Sequence, residues 1–313
     1  MADIVVTEFL DPGPIELLKQ KYSVHVDTDL WNKRSELEKL VGDAIALIVR
    51  NRTRVDAALL DEAPKLKVIG RLGVGLDNID MEACKARNIV VCPAVGANAV
   101  AVAEHVIATT LILLRRAAYL STSRVAAGEW PREELSRGHE AAGRRFGIIG
   151  YGSIGQQVGA RARALGMHIV AYDRYLPPDS PAWENAERAS LDEVLEICDV
   201  VTLHCPLTPE TRGLIGAREL ARMKKGAILI NTARGGIVDE QALADALRSG
   251  HLGGAAIDVF STEPIDESTA AIFRNVPNLI LTPHIAGVTI ESNARISTVT
   301  VDNVLRELKA AGL

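Results

Sequence analysis

The sequence predicts an α/β protein built from two doubly wound parallel-sheet units with a cleft between them. Three observations predict it. Strand-like apolar runs alternate with amphipathic runs along the whole chain. The strand runs are continuously apolar, as strands covered on both faces must be. The 313 residues suit two domains, at about 150 residues each.

The first series of strands is expected at 3–7, 23–26, 44–49, 67–70 and 89–92, with amphipathic segments such as 15–21, 35–40 and 56–62 between them. A long helical stretch is expected over 98–128. The second series is expected at 146–149, 168–172, 200–203, 227–231, 255–258 and 279–281, followed by a closing helix near 289–310. No Pro/Gly/Ser-rich linker separates the two series, so the boundary reads as a helix crossing. If the closing helix packs back on the first unit, that unit is discontinuous in sequence.

A composition of 48% hydrophobic and 24% charged residues excludes disorder, collagen and coiled coil as whole-chain readings. A net charge of −5 argues against a nucleic-acid surface. The cations are 25 Arg and 10 Lys. A GC-rich genome alone produces such an excess; Arg is also the residue for bidentate binding of carboxylate, phosphate or sulfonate. Cys84, Cys92, Cys198 and Cys205 show no metal spacing and read as reduced, mostly buried thiols, with no metal site. The start Met1-Ala2-Asp3-Ile4 lacks the features of a signal peptide. The most apolar stretch, 99–114, holds Glu104 and His105 and is too short to span a bilayer. A cytoplasmic protein without membrane partners is expected.

Gly150-Tyr151-Gly152-Ser153-Ile154-Gly155 fits G-x-G-x-x-G between a strand and a helix. Gly150 permits the tight turn, Gly152 lets the backbone approach a pyrophosphate, and Gly155 lets helix and strand pack closely. The helix N-terminus, with Ser153 and Ile154, offers N–H groups to phosphates. The next strand ends at Asp173, 18 residues past Gly155, near the spacing of the carboxylate that holds the ribose hydroxyls. A carboxylate there repels a 2′-phosphate and favours NAD; the adjacent Arg174 works the other way.

Three further residues follow strand ends, where open α/β sheets bind ligands. Arg234 lies in Asn231-Thr232-Ala233-Arg234-Gly235-Gly236. Glu263 lies between Asp258-Val259-Phe260-Ser261-Thr262 and Pro264. His284 lies in Pro283-His284-Ile285-Ala286-Gly287. Between them they can bind a carboxylate, tune an imidazole and shuttle a proton. His204 and Pro206, after the strand at 200–203, read as lining the cofactor site, with packing as the alternative for His204. His105 reads as structural and Cys205 as a packing residue.

These motifs, in this order and with Gly70-Arg71-Leu72-Gly73-Val74-Gly75-Leu76-Asp77-Asn78, resemble the D-2-hydroxyacid dehydrogenases over essentially the whole chain. The resemblance implies a Rossmann cofactor domain at 99–287 and a flavodoxin-like substrate domain at 1–98 and 288–313. It implies NAD as cofactor and hydride transfer to or from a 2-hydroxy or 2-keto acid. His284 is then the acid–base, Glu263 orients it and raises its pKa, and Arg234 holds the substrate carboxylate. Leu72, Gly73 and Val74 form the loop whose amides hold the same carboxylate, and Asp258 contacts the nicotinamide carboxamide. Thr232, Ala233 and Gly287 belong to the cofactor site. The formate-oxidising branch carries Gln where this chain has Glu263, so formate is disfavoured. A homodimer is the family expectation, with 99–114 and Arg115-Arg116 as interface candidates.

Arg50, Arg52 and Arg54 alternate after the strand at 44–49, and Arg71 ends the next. Alternate residues of an extended stretch face one way, so two or three of these arginines are expected to converge on a second substrate anion; ordinary solvated arginines are the alternative. Two family branches take such substrates, the 3-phosphoglycerate and the 3-sulfolactate dehydrogenases. The segments 49–56, 121–132 and 284–289 look closer to the second. The (S) label of sulfolactate fits a D-type enzyme, because sulfur on C3 reverses the priority order. Arg132, after Trp130, is expected to approach the partner subunit's site. A non-catalytic NAD-sensing protein, like the corepressors that resemble this family, is the alternative of another class. Such corepressors carry long tails, which this chain is not expected to have, and no appended regulatory domain is expected.

Overall fold

Short buried strands built from Ile, Val, Leu and Ala set the architecture. The structure, a computed structural model, describes residues 2–116 and 121–313. They form two units, Met1–Asn98 with Val288–Leu313, and Ala99–Gly287.

The first unit holds β1 (Ile4–Val6), β2 (Val24–Val26), β3 (Ala46–Val49), β4 (Val68–Arg71) and β5 (Val90–Pro93). They pair in parallel in the order β2-β1-β3-β4-β5. The period of two sends alternate residues to opposite faces. Val5, Leu47, Val49 and Ile69 pack with Leu37 and Leu59 on one face. Ile4, Val6, Ala46, Ile48 and Val68 pack with Leu18, Val301, Val304 and Leu308 on the other. Each such Val, Leu or Ile side chain contributes about 1.5–3 kcal/mol by leaving water. The last three lie on the closing helix Ile290–Ala310, which therefore packs on the first sheet. Its approach depends on Gly70, where a Cβ would stand 2.6 Å from Val304 Cγ2.

The second unit holds β6 (Arg145–Ile149), β7 (His168–Tyr172), β8 (Glu187–Arg188), β9 (Val200–Leu203), β10 (Ile228–Asn231), β11 (Gly254–Ile257) and β12 (Leu279–Leu281). All pair in parallel in the order β12-β11-β10-β9-β6-β7-β8. Ile149, Val201, Leu203, Leu229 and Ile257 line one face; Phe146, Ile148, Val200, Ile230 and Ala256 line the other. Because every strand runs the same way, all their C-terminal ends share one sheet edge. The strand order reverses between β6 and β9, which makes that edge a switch point.

The long stretch expected over 98–128 is not one helix. Helix Ala99–Arg115 is followed by Arg116 in a left-handed conformation (φ 55°), and a second helix spans Ser121–Ala126. The part of the expected helix at 117–120 lies outside the described residues. Among the described residues no helix is long and apolar enough to cross a membrane.

Candidate active site

In the second unit, the loop after β6 enters helix Ser153–Ala164 through Gly152, and no side chain caps that helix. Its first N–H groups are thus open to an anionic ligand. Gly150 sits at φ 94°, and a Cβ there would meet the His204 carbonyl carbon at 2.7 Å and Cys205 N at 2.8 Å. A Cβ on Gly155 would stand 2.3 Å from Gly150 O. Gly150 is required where its loop meets the one after β9 at the switch point, and Gly155 where the helix closes on its own loop. Gly152 is different: a Cβ there meets nothing within 4 Å, so the helix entrance opens on free space.

Asp173, just past β7, accepts from Tyr151 N at 2.8 Å through one oxygen, and from Tyr175 N and Leu176 N at 2.8 and 2.9 Å through the other. The carboxylate is therefore fixed against the glycine loop. Arg174 lies over the Tyr175 ring, 5.9 Å from its centroid.

His204, just past β9, bonds Thr202 Oγ1 through Nε2 at 3.1 Å. Its Nδ1 is buried without a partner, and so is Thr232 Oγ1 after β10. Burial pushes the His204 imidazole down to about 3, so it is neutral at physiological pH. Buried polar atoms without partners cost free energy unless a ligand meets them. Two such atoms, an open cradle at Gly152 and an uncapped helix start together fit a dinucleotide. Pro206 accepts from Thr211 Oγ1 at 2.6 Å, which folds the turn after His204. Burial pushes the Cys205 thiol up to about 11, so it stays protonated and packs. His105 is partly buried, and burial lowers its pKa, with the Asp258 charge opposing.

The turn after β10 is stapled by Asn231, a residue the motif reading passed over. Its Oδ1 accepts from Ala233 N and its Nδ2 donates to Arg234 O, each at 3.0 Å. Arg234 Nη1 donates to Ala233 O at 2.6 Å.

His284 Nδ1 lies 2.7 Å from Glu263 Oε2. Glu263 Oε1 accepts from Phe260 N at 2.9 Å. Burial works to raise the Glu263 carboxyl, but the His284 and Phe260 hydrogen bonds and the His284 and Arg234 charges outweigh it. The carboxyl lies below its ordinary value and is ionised at neutral pH. His284 takes a left-handed backbone (φ 56°), uncommon outside glycine. It is held there because its N–H donates to Asp258 O at 2.8 Å and Thr282 O at 3.0 Å. The buried Asp258 carboxylate accepts from Thr282 Oγ1, Ile285 N and Ala286 N. Asp258 thus shapes the turn that presents His284 and ends at Gly287.

In the first unit, Arg71 is buried and turns back on its own loop, donating to Gly75 O at 2.7 Å and to Leu72 O. Gly73, at φ 141°, has its N–H on Arg71 O, so the Val74 N–H is the better anion donor of the two. Arg50 Nη2 donates to Asn293 Oδ1 at 2.9 Å, Arg52 lies over the Trp31 ring at 4.9 Å, and Arg54 pairs with Asp56 at 3.8 Å. Of the four arginines, two or three of them expected to converge, each engages a different set of partners. The reason is that β3 stops at Val49 and the chain turns, so the alternation of an extended strand does not continue. Arg50 and Arg52 stay close enough to interact: burial lowers the Arg50 guanidinium, Glu8 and Asp11 oppose this, and Arg52 adds to it. Asn98 was also missed; its Oδ1 is buried without a partner.

A family model for the D-isomer specific 2-hydroxyacid dehydrogenase NAD-binding domain matches residues 107–286. The chain belongs to the D-isomer specific 2-hydroxyacid dehydrogenase family. It is 52% identical to an (S)-sulfolactate dehydrogenase of Chromohalobacter salexigens, over 98% of this chain and 99% of that one. It is 40% identical to a D-3-phosphoglycerate dehydrogenase of Methanocaldococcus jannaschii, over 99% of this chain but only 58% of that protein. A D-lactate dehydrogenase of Aquifex aeolicus, solved with NAD and lactic acid, superposes with a TM-score of 0.84 at 30% identity, covering 98% and 96% of the two chains. The 2-hydroxyacid dehydrogenase is thus NAD-dependent and acts on the CH–OH group of its substrate.

Proposed function

We propose that the enzyme interconverts 3-sulfolactate and sulfopyruvate. The full-length 52% identity to an (S)-sulfolactate dehydrogenase carries this reading. NAD, when bound, supplies the hydride acceptor at nicotinamide C4. Gly150, Gly152, Ser153, Ile154 and Gly155 would hold its pyrophosphate, and Asp173 its ribose. His204, Pro206, Thr232, Ala233, Asp258 and Gly287 would line the rest of the cofactor site. His284, with Nδ1 on Glu263, takes the substrate hydroxyl proton at Nε2 during oxidation and returns it during reduction. Arg234 binds the substrate carboxylate and polarises the reacting carbonyl. The Leu72-Gly73-Val74 loop, braced by Arg71, supplies backbone donors to the carboxylate. Arg50 and Arg52 meet the sulfonate, with Arg132 as a further contact from a partner subunit.

The phosphoglycerate reading is the second, supported by 40% identity to the Methanocaldococcus jannaschii protein, of which this chain spans little more than half. A panel of 2-keto acids with NADH separates the two. Sulfopyruvate is expected to give a higher kcat/KM than phosphohydroxypyruvate, hydroxypyruvate, glyoxylate or pyruvate. Arg52→Ala and Arg132→Ala are expected to raise its KM. An unchanged KM for every dianionic substrate in both variants overturns the second-anion reading.

We also infer a cytoplasmic homodimer. Reduced Cys84, Cys92 and Cys198, all buried, suit a reducing compartment. Helices Ser121–Ala126 and Arg132–Leu135 bury no residue, and Trp130 between them is 78% exposed. An exposed aromatic on a segment without a core of its own suits a protein interface. Light scattering is expected to give twice the chain mass; the mass of one chain overturns the dimer.

A further inference from the structure

Glu8 is a carboxylate that the reaction does not use. It is only 4% exposed and is the one buried acidic side chain of its unit among the described residues. Burying a charge is costly unless several donors meet it. Its Oε1 accepts from Arg50 N at 2.9 Å, Thr53 N at 3.0 Å and Thr53 Oγ1 at 2.9 Å, and its Oε2 accepts from Arg52 N at 3.2 Å. The N–H groups of three residues just after β3 therefore converge on one side chain. The carbonyls of the same turn are held from the other side: Asn78 Nδ2 donates to Arg50 O at 3.1 Å and Thr53 O at 2.6 Å. The buried pair Thr7 Oγ1 and Thr53 Oγ1, 2.6 Å apart, closes the arrangement. This ring of bonds has a directional consequence. The N–H groups of Arg50, Arg52 and Thr53 are used internally, so an anion arriving there would meet the Arg50 and Arg52 side chains rather than those donors.

We propose that Glu8 is a specificity-positioning residue: with Asn78 it clamps the Arg50–Thr53 turn so that Arg50 and Arg52 are presented to the second anionic group of a 2-keto acid. The proposal rests on the second-anion reading of the substrate. Glu8 spends both its oxygens on the turn and acts through it; its charge also works against the effect of burial on the Arg50 guanidinium.

The experiment compares sulfopyruvate, which carries two anionic groups, with pyruvate, which carries one, using NADH and the full-length enzyme. In Glu8→Gln, the amide turns a donor toward backbone N–H groups and the charge is gone. The ratio of kcat/KM for sulfopyruvate to that for pyruvate is expected to fall on the order of tenfold, equivalent to losing one charge-assisted hydrogen bond. The change should lie in KM for sulfopyruvate rather than in kcat. Arg52→Ala runs beside it as the direct measure of the anion contact. If Arg52→Ala lowers the ratio and Glu8→Gln leaves it unchanged, the positioning role is overturned while the second-anion reading stands. If Glu8→Gln lowers kcat/KM for both acids in proportion, Glu8 is merely structural and the proposal fails. If neither Arg50→Ala nor Arg52→Ala changes the ratio, the second-anion reading falls and the proposal with it. Should Glu8→Gln fail to fold, as judged by circular dichroism and a thermal melt, Asn78→Ala releases the same turn from its carbonyl side. It must then lower the ratio for the proposal to survive.

Discussion

Replacing His284 by Ala is expected to lower kcat/KM for keto-acid reduction by about 10²–10⁴-fold, the usual worth of a positioned general acid–base. NADH binding should persist, because the glycine loop and Asp173 are untouched. The expectation rests on how narrowly His284 is placed. Its backbone is held in the left-handed region by the Asp258 and Thr282 carbonyls, and its Nδ1 by Glu263 at 2.7 Å. In the proposed mechanism that leaves Nε2 for the reacting oxygen. Glu263 serves only while ionised, and its carboxyl lies below its ordinary value although burial alone would raise it. A depressed folded-state value means that the stabilisation is complete above the unfolded carboxylate range, and is lost as pH falls through the folded value. At neutral pH the pair is intact. Glu263→Gln keeps an acceptor for Nδ1–H and removes the carboxylate charge beside it. A smaller loss is expected, on the order of tenfold. Rate profiles of NADH oxidation across pH, with NADH affinity measured in parallel, check both variants. An His284→Ala enzyme that retains most of its kcat/KM overturns the assignment.

The parts of the fold legible in the sequence are those whose cause is local. Strands 168–172, 200–203 and 279–281 are short apolar runs bounded by polar or turn residues, and the structure has the same bounds. The strand Glu187–Arg188 was missed because its two residues are charged and exposed at the sheet edge, so no burial pattern marks it. Asp258 was read as the end of a strand that stops at Ile257, because its polar atoms serve the next loop. The arginine group shows the opposite case. Spacing alone suggested an extended stretch through Arg54, yet the turn after Val49 is set by Glu8, more than 40 residues away in sequence. A single distant carboxylate outweighs a local alternation, and no periodicity reports it. Asn231 stands inside a quoted motif, but its role as a staple appears only from the two bonds it makes across the turn.

Gly235→Ala is expected to damage stability and catalysis together. A Cβ at Gly235 would stand 1.8 Å from Phe260 O and 2.1 Å from its carbonyl carbon. Both are backbone atoms, so no rotamer relieves the clash. Overpacking of this kind costs about 1–3 kcal/mol, occasionally more, which in a domain of this size lowers Tm by roughly 2–4 °C per kcal/mol. The chain cannot retreat freely, since Ser261 is tied to Glu240 through N at 2.6 Å and Oγ at 2.8 Å. The displaced segment carries Glu263, which bonds Phe260 N, and Gly235 itself follows Arg234. One added methyl is therefore expected to push the Arg234 turn and the His284 partner apart. A shift of about 1 Å in such a constellation costs on the order of 10²-fold in rate. Gly213→Ala is the matched control: Gly213 sits at φ 65° with nothing within 4 Å of an added Cβ. It bears only the conformational cost of a left-handed residue, about 1–2 kcal/mol, and its kcat/KM should stay within a few-fold of wild type. Thermal melts and sulfopyruvate kinetics on the two variants decide the matter. If Gly235→Ala loses Tm no more than Gly213→Ala and keeps wild-type kcat/KM, the close approach of the two turns does not govern the site.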